Sequence, residues 1–279
     1  MSPTPASIAA RRQAFHRLHD AGCFLIPNPW DVGSARWLQG LGFKALATTS
    51  SGFAWSRARP DNGITRDMAL AHLADLVDAT EVPVNADFES GFAHDAAGVE
   101  ESVRLALTTG VAGLSIEDST GDAKSPLYPI DEAVARLRAA RRAVDQAGGD
   151  ALLVGRAECF LVGRPDLEET IARLKAYANA GADCLYAPGL RDEATIAAVV
   201  QAVAPKPVNV LTPGLPVSAL RALGVRRISV GGGLASAAWG EFLRAAREIA
   251  DDGTFTALQR GAPGRELNGL FARGFRPET

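Results

Sequence analysis

Three cysteines, two methionines, four histidines and 6% aromatic residues among 279 positions are what this sequence has least of. Cys23, Cys159 and Cys184 are far apart, and each sits inside or beside an apolar run. They exclude a disulfide scaffold and read as reduced, mostly buried thiols of a cytoplasmic protein. Few aromatics alongside abundant Ala, Leu, Val and Gly argue against an all-β sandwich. Charge of one sign is missing too: 29 Lys+Arg against 32 Asp+Glu leave a net charge of −3. No long-range field gathers nucleic acid or anionic lipid, so neither is an expected partner, and an acidic ligand must be captured locally. No apolar run reaches the length of a membrane span, and the first ten residues show no signal-peptide pattern. His16 and His19, three apart on an Arg-rich first helix, have no acidic or thiol partner nearby and read as a solvated face rather than a metal site.

A chain that is 47% hydrophobic and 22% charged is globular rather than disordered. Its length suits two small domains or one (β/α)8 barrel of roughly 250 residues. Eight short aliphatic runs decide for the barrel: 23–27, 44–49, 82–86, 111–117, 151–156, 183–187, 207–211 and 227–230. Helical segments connect them at 32–41, 66–80, 96–109, 131–147, 167–180, 192–203 and 216–223, and an eighth follows at 235–251. Asp31, Thr65, Asp95, Asp131 and Asp166 are candidate N-caps, and Gly42, Gly110, Gly181 and Gly224 candidate C-terminal stops. A doubly wound sheet fits less well, because no Gly-x-Gly-x-x-Gly fingerprint follows the first strand. The expectation is a barrel over 1–252, with a tail over 253–279 that contains a short helix at 265–273 and packs on the barrel or a neighbouring subunit.

Functional groups of such a barrel gather at the C-terminal ends of its strands. Those ends supply Asp87, Glu89, Glu117, Asp118 and Glu158 from strands three to five, and Arg156 from strand five. Five carboxylates on one rim repel unless a cation neutralises them, and oxygen-only ligands suit Mg²⁺, or Mn²⁺, over zinc. Taken alone, Glu117-Asp118 reads as an ordinary acidic strand end. Arg156 is open to two readings: an anchor for a substrate carboxylate or enolate oxygen, or a structural partner of Glu158 or Glu117. Ser50-Ser51-Gly52 offers hydroxyls and backbone N–H groups for a carboxylate, or an ordinary turn. Gly231–Gly233 reads as a tight, closely packed turn, not a phosphate cradle, and His94 as an exposed loop histidine.

The segments Asn28-Pro-Trp-Asp-Val-Gly-Ser-Ala-Arg36, Thr48-Thr-Ser-Ser-Gly52, Asp87-Phe-Glu-Ser-Gly91, Gly113-Leu-Ser-Ile-Glu-Asp118, Arg156-Ala-Glu158 and Ala180-Gly-Ala-Asp183 together resemble the isocitrate lyase/phosphoenolpyruvate mutase superfamily, in register from about Phe15 to about Ile249. The resemblance implies a barrel whose last helix is swapped between subunits, a homodimer or homotetramer, and Mg²⁺-dependent chemistry next to a 2-oxo acid carbonyl. It implies that Asp87, Glu89 and Glu117 hold the metal, that Ser50, Ser51 and Gly52 bind the substrate carboxylate and carbonyl, and that Arg156 stabilises an enolate. Asp61, in Arg-Pro-Asp-Asn-Gly63, matches an aspartate placed over the reacting atoms; its local alternative is a plain turn.

Two departures bear on substrate. Lyases of this superfamily carry a Lys-Lys/Arg-Cys-Gly-His loop after strand four, where this chain reads Ser119-Thr-Gly-Asp-Ala-Lys-Ser-Pro-Leu127. That argues against an isocitrate or methylisocitrate lyase. The same loop lacks the mutase asparagine, and Tyr186-Ala-Pro-Gly189 offers no basic group to a phosphonyl oxygen. The expected function is therefore a carbon–carbon lyase or decarboxylase acting on a small 2-oxo or 2-hydroxy dicarboxylic acid through a metal-stabilised enolate. A phosphonopyruvate-type mutase or hydrolase and a non-catalytic 2-oxo-acid-binding barrel are the alternatives. Specificity is expected from the 119–127 loop, Asn209 and Thr212.

Overall fold

The structure is a computed structural model that describes residues 3–211 and 214–272. After helix α1 (Pro5–Asp20), eight parallel strands alternate with helices. They are β1 (Phe24–Ile26), β2 (Leu46–Ala47), β3 (Val84–Asp87), β4 (Gly113–Glu117), β5 (Leu152–Arg156), β6 (Cys184–Tyr186), β7 (Val208–Leu211) and β8 (Arg227–Ser229). The principal helices are α2 (Val32–Gly40), α3 (Ser50–Ser56), α4 (Arg66–Ala79), α5 (Ala96–Thr108), α6 (Ile130–Gln146), α7 (Leu167–Asn179), α8 (Glu193–Val203), α9 (Val217–Ala222), α10 (Gly233–Asp252) and α11 (Gly264–Ala272). The ladder runs β1-β8-β7-β6-β5-β4-β3-β2. The seam between β1 and β2 is joined by one backbone bond, Ala47 N–H to Pro27 O at 3.1 Å. Asn28 reinforces it, donating to Thr48 O at 2.8 Å and accepting from the N–H groups of Val230 and Gly231 at 2.8 and 2.9 Å. The result is a nearly closed (β/α)8 barrel, as the spacing of apolar runs predicts.

The apolar strands are buried on both faces. Leu114, Ile116, Leu153, Leu185, Val208 and Val210 join the helices in the main core. Phe15, Ile26, Ala47, Ala112, Leu152, Val154 and Cys184 fill the lower barrel. Asp31, Thr65, Asp95 and Asp166 each accept a hydrogen bond from the first helical turn, as expected. Asp131 does not: α6 starts one residue earlier, behind Pro129, so Asp131 lies inside its first turn and acts through the helix dipole.

Two parts of the sequence reading change. The first helix is not a solvated face. Phe15 is fully buried and closes the N-terminal end of the barrel, and Arg12 and His19 are buried with it. Ser50-Ser51-Gly52 is neither a loop nor a nest, because it opens α3, with the Thr49 hydroxyl accepting from Gly52 N–H. The last barrel helix leaves its own barrel: α10 buries only Ala235 and Ala245 and exposes Trp239, Phe242, Leu243 and Ile249. Leu267 and Phe271 of α11 instead line a groove on the outer face of β1 and β8, with Leu25, Trp37 and Leu41. The expected tail helix therefore exists, with Arg273 outside the described residues. Among the described residues no helix is long and apolar enough to cross a membrane.

Candidate active site

Strand ends β2, β3, β4 and β5, with the loops after β1 and β8, surround a pocket of about 140 Å³ at the C-terminal mouth of the barrel. Asp87 ends β3. The chain then turns sharply, with Glu89 at φ +46° in the left-handed region that side chains rarely adopt. The Asp87-x-Glu89 pair is therefore not one face of a continuing strand. The Glu89 carboxyl nonetheless stays within electrostatic reach of Asp87, Asp61 and Arg156. Its Oε1 is buried and has no hydrogen-bond partner among the described residues.

Arg156, at the end of β5, reaches three carboxylates. Nη1 lies 3.0 Å from Asp87 and 3.2 Å from Glu117, and Nε donates to Glu158 in a very short bond. Its guanidinium carbon sits 5.1 Å from the Tyr186 ring centre. Both sequence readings of Arg156 meet here, because the residue lines the pocket and is also the ionic partner of Glu158 and Glu117. Burial alone would favour a neutral guanidine, but Glu158, Glu117 and Asp87 hold it charged.

Glu89, Glu117 and Asp61 are raised at this mouth. Burial, then Asp87 and Asp61, push Glu89 up to about 8 against the opposing Arg156. Burial raises Glu117 well above its ordinary value; Arg156 opposes, while Glu158, Asp87 and Glu89 add to the rise. Asp61 stands on the exposed loop over the pocket, where desolvation and Asp87 raise it. A cluster this crowded is poised for a cation.

The fifth expected rim carboxylate is elsewhere. Successive strand residues face opposite ways, so Glu117 points inward while Asp118 turns out to Arg173 at 3.0 Å and to the Tyr177 hydroxyl. Asp118 also accepts from Glu158 N–H at 2.8 Å, which fixes the residue that in turn holds Arg156. It is a positioning residue.

Ser50 and Ser51 line the pocket, and Gly52 lies just behind them. Ser50 N–H and Oγ both bond Asp87 at 2.9 and 3.0 Å; Ser51 Oγ lies 3.1 Å from Thr49 Oγ1. Gly52 is glycine for packing, since a Cβ there would lie 2.7 Å from Thr49 and 3.1 Å from Trp30. Gly232 is likewise packed, against Ser51 and Trp55. His94 is exposed. The 119–127 loop folds on itself through a Ser119/Leu127 bridge and is not part of the pocket wall. Thr212 lies outside the described residues.

Among the described residues, no three Asp, Glu, His or Cys side chains are already gathered as a metal cage; Arg156 stands between Asp87 and Glu117. The donor set still fits a hard divalent cation. Asp87, Glu89 and Glu117 supply oxygen only, and Glu89 Oε1 is a buried acceptor without a donor.

Residues 15–250 match the phosphoenolpyruvate phosphomutase family. The chain belongs to the isocitrate lyase/phosphoenolpyruvate mutase superfamily. It is 33% identical to an uncharacterized protein of Mycobacterium tuberculosis, over 91% of this chain and 94% of that one. A crystal structure from Burkholderia cenocepacia, described only as a lyase/mutase, is 50% identical with a TM-score of 0.94, over 98% of this chain and all of that one. Phosphonopyruvate hydrolase, solved with oxalate and Mg²⁺, is 25% identical with a TM-score of 0.81, over 94% and 95% of the two chains. Members further named include oxaloacetate decarboxylase of Bradyrhizobium diazoefficiens and 2-methylisocitrate lyases, so lyase, mutase and hydrolase chemistry all occur within the superfamily.

The sequence reading named Asn209, which is buried just behind the pocket floor, bonded to Ser229 and Arg227, and is not itself in the pocket wall. It missed Asn85, Ser115, Arg227 and Ser229, which line the floor with Tyr186. Arg227 and Ser229 alternate with Ile228 and Val230 along and after β8, and the pleat turns the polar pair to the pocket and the apolar pair to the outer groove.

Proposed function

We propose that this chain is a Mg²⁺- or Mn²⁺-dependent lyase that cleaves or decarboxylates a small 2-oxo dicarboxylic acid. The observation that carries the reading is the carboxylate cluster Asp61, Asp87, Glu89 and Glu117, with an orphaned buried oxygen on Glu89, around a single shared arginine in a small pocket. Asp87, Glu89 and Glu117 would hold the cation, which when bound supplies Lewis-acid polarisation of the 2-oxo group. Arg156 presents fixed positive charge beside that position, where negative charge develops as the bond breaks. Glu158 and Asp118 hold the guanidinium in place, so no reorganisation is needed at the moment of reaction. Asp61 overhangs the pocket on an exposed loop, and no arginine is bonded to it among the described residues; it is assigned proton transfer at the reacting carbon. Ser50 and Ser51 orient Asp87 and the substrate carboxylate. Support also comes from relatives named for oxaloacetate chemistry and from a relative solved with oxalate and Mg²⁺.

The test is incubation with oxaloacetate and Mg²⁺, followed for pyruvate and, separately, for oxalate plus acetate. Consumption that needs the metal ion and is lost in Asp61→Ala is expected. No 2-oxo acid consumed and no metal-dependent oxalate binding would sink the reading. A phosphorus signal passing from phosphonate to phosphate would transfer the site to the carbon–phosphorus alternative.

We also infer a homodimer or homotetramer built by exchange of α10. The apolar face of Trp239, Phe242, Leu243 and Ile249 is exposed on a helix that leaves its own barrel, and a second copy of the chain is the occupant that would cover it. Light scattering of Phe242→Asp should report a smaller particle than the parent protein. An unchanged mass would reject the exchange.

A further inference from the structure

The pocket contains two arginines in opposite electrostatic situations. Arg156 is shared among three carboxylates. Arg227, the first residue of β8, is 2% exposed and lines the pocket from below, yet no carboxylate lies within 4.0 Å of it among the described residues. Its hydrogen-bond partners are two neutral amides: Nε donates to Asn209 Oδ1 at 2.8 Å, and Nη1 to Asn85 Oδ1 at 3.5 Å. Those amides are themselves fixed. Asn209 spends its NH₂ on Ser229 Oγ at 3.0 Å, and Asn85 donates to Ala86 O at 3.1 Å. Both therefore turn oxygen toward the arginine, and the guanidinium is held in one orientation without being neutralised. Nη2 has no protein partner among the described residues.

A buried cation with no counter-charge is costly, and proteins keep one where a ligand brings the missing charge. The space next to Arg227 is the pocket itself, bordered by the small hydroxyl side chains Ser115 and Ser229. Arg156 is fully committed at the rim. An incoming acid with two carboxylates thus meets carboxylate oxygens and a shared arginine at one end, and a free guanidinium at the other.

We propose that Arg227, oriented by Asn209 and Asn85, is the subsite for the substrate's far carboxylate, the one not adjacent to the 2-oxo group, and that it selects dicarboxylic over monocarboxylic 2-oxo acids. This rests on the metal-dependent 2-oxo-acid reading above, so two ligands are used that separate them. Oxalate carries no far carboxylate; 3,3-difluorooxaloacetate does. Calorimetric titration of each, with Mg²⁺, is made on the parent protein, Arg227→Gln and Asn209→Asp. The second variant needs no cavity, because it places a carboxylate on Nε and neutralises the guanidinium from within.

Both variants should lose affinity for difluorooxaloacetate by roughly 10- to 100-fold, the size expected when a charged hydrogen-bond partner is lost. Oxalate binding should be unchanged, and Asn209→Asp should melt no lower than the parent. An arginine that only braces the barrel gives the same melting behaviour with no selective loss. Parallel losses for both ligands, or none, overturn the subsite. If Arg227→Gln does not fold, Asn209→Asp alone decides. Difluorooxaloacetate binding that depends on Arg227 in EDTA, with no oxalate binding under any condition, would keep the subsite and reject the metal reading. A parent protein that binds neither ligand rejects both.

Discussion

The two ends of this barrel are built from similar residue types toward opposite electrostatic ends. At the N-terminal end Arg12 is buried and fully answered: it donates to Val111 O at 3.0 Å and Leu107 O at 3.1 Å, and pairs with Asp150 at 2.7 Å. Phe15 fills the axis so tightly that a Cβ at Gly113 would lie 2.9 Å from its ring. His19 is wedged edge-on between Phe15 and Phe24. At the C-terminal end carboxylates outnumber the arginine they share, and one buried oxygen has no donor. One end closes on the chain's own ionic and aromatic partners, although His19 Nε2 is buried there without a hydrogen-bond partner among the described residues; the other crowds carboxyl groups around a space that the chain does not fill. The contrast teaches that burial of charge is not informative until its partners are counted.

That contrast can be broken by mutation. Glu89→Gln replaces a buried carboxyl that has an unpaired oxygen and resists ionisation, so it should cut catalytic turnover by about 10²–10³-fold, the scale of losing one electrostatic contributor at a reacting centre, while the melting temperature stays level or rises. A melting temperature that falls together with activity would mean that the rim is as self-sufficient as the base. The reverse experiment is Arg12→Ala, which strands two carbonyl groups. It should destabilise by about 2 kcal/mol in a denaturant titration and leave Mg²⁺-dependent oxalate affinity unchanged. A smaller effect follows from pH. Burial, then Arg227, lower His19 to about 3, and burial lowers His72, stacked 3.9 Å from Phe53, to about 4. Each is neutral in the fold but takes a proton near pH 6.5 once unfolded. Stability is therefore complete above pH 6.5 and lost as pH falls toward 4, by about 1.4 kcal/mol per pH unit for each histidine. His72→Phe should flatten the fall in melting temperature between pH 7 and pH 5, and an equal fall in both proteins would reject the assignment.

The barrel was legible because parallel strands covered by helices are short apolar runs, and because Asp and Thr caps and the Gly stops mark the joints. The rim residues Asp87, Glu117 and Arg156 were legible because strand ends carry function in this architecture, whereas Asp61, on the loop after α3, was singled out by the family resemblance alone. What escaped has physical reasons. Asp118 and Glu117 are adjacent in sequence, and only the pleat separates an inward carboxylate from one that braces Glu158. Ser50-Ser51-Gly52 has the composition of a turn, and it becomes a helix because Thr49 caps it and Ala235 and Trp30 pack against Gly52. Arg227 was placed in the eighth strand run without a role, and its neighbour Arg226 has the same side chain; only the fold separates Arg226, which reaches Gly22 O, from Arg227, which lines the pocket. The base of the barrel lay hidden in α1, whose polar residues find their partners only across long stretches of chain: Arg12 and His16 both reach Asp150.

The seam between β1 and β2 has a consequence for how the mouth is sized. Elsewhere the circumference is fixed by repeated main-chain pairing, whereas here a single carboxamide, that of Asn28, ties three staves together: its own, the one leading to Ser50 and the one leading to Gly231. Ser50, Gly231 and Gly232 all border the cavity. The aperture on that side is thus gauged by the reach of one side chain, and amide protons there, at Ala47 and Val230, should be the first in the ring to exchange with solvent deuterium.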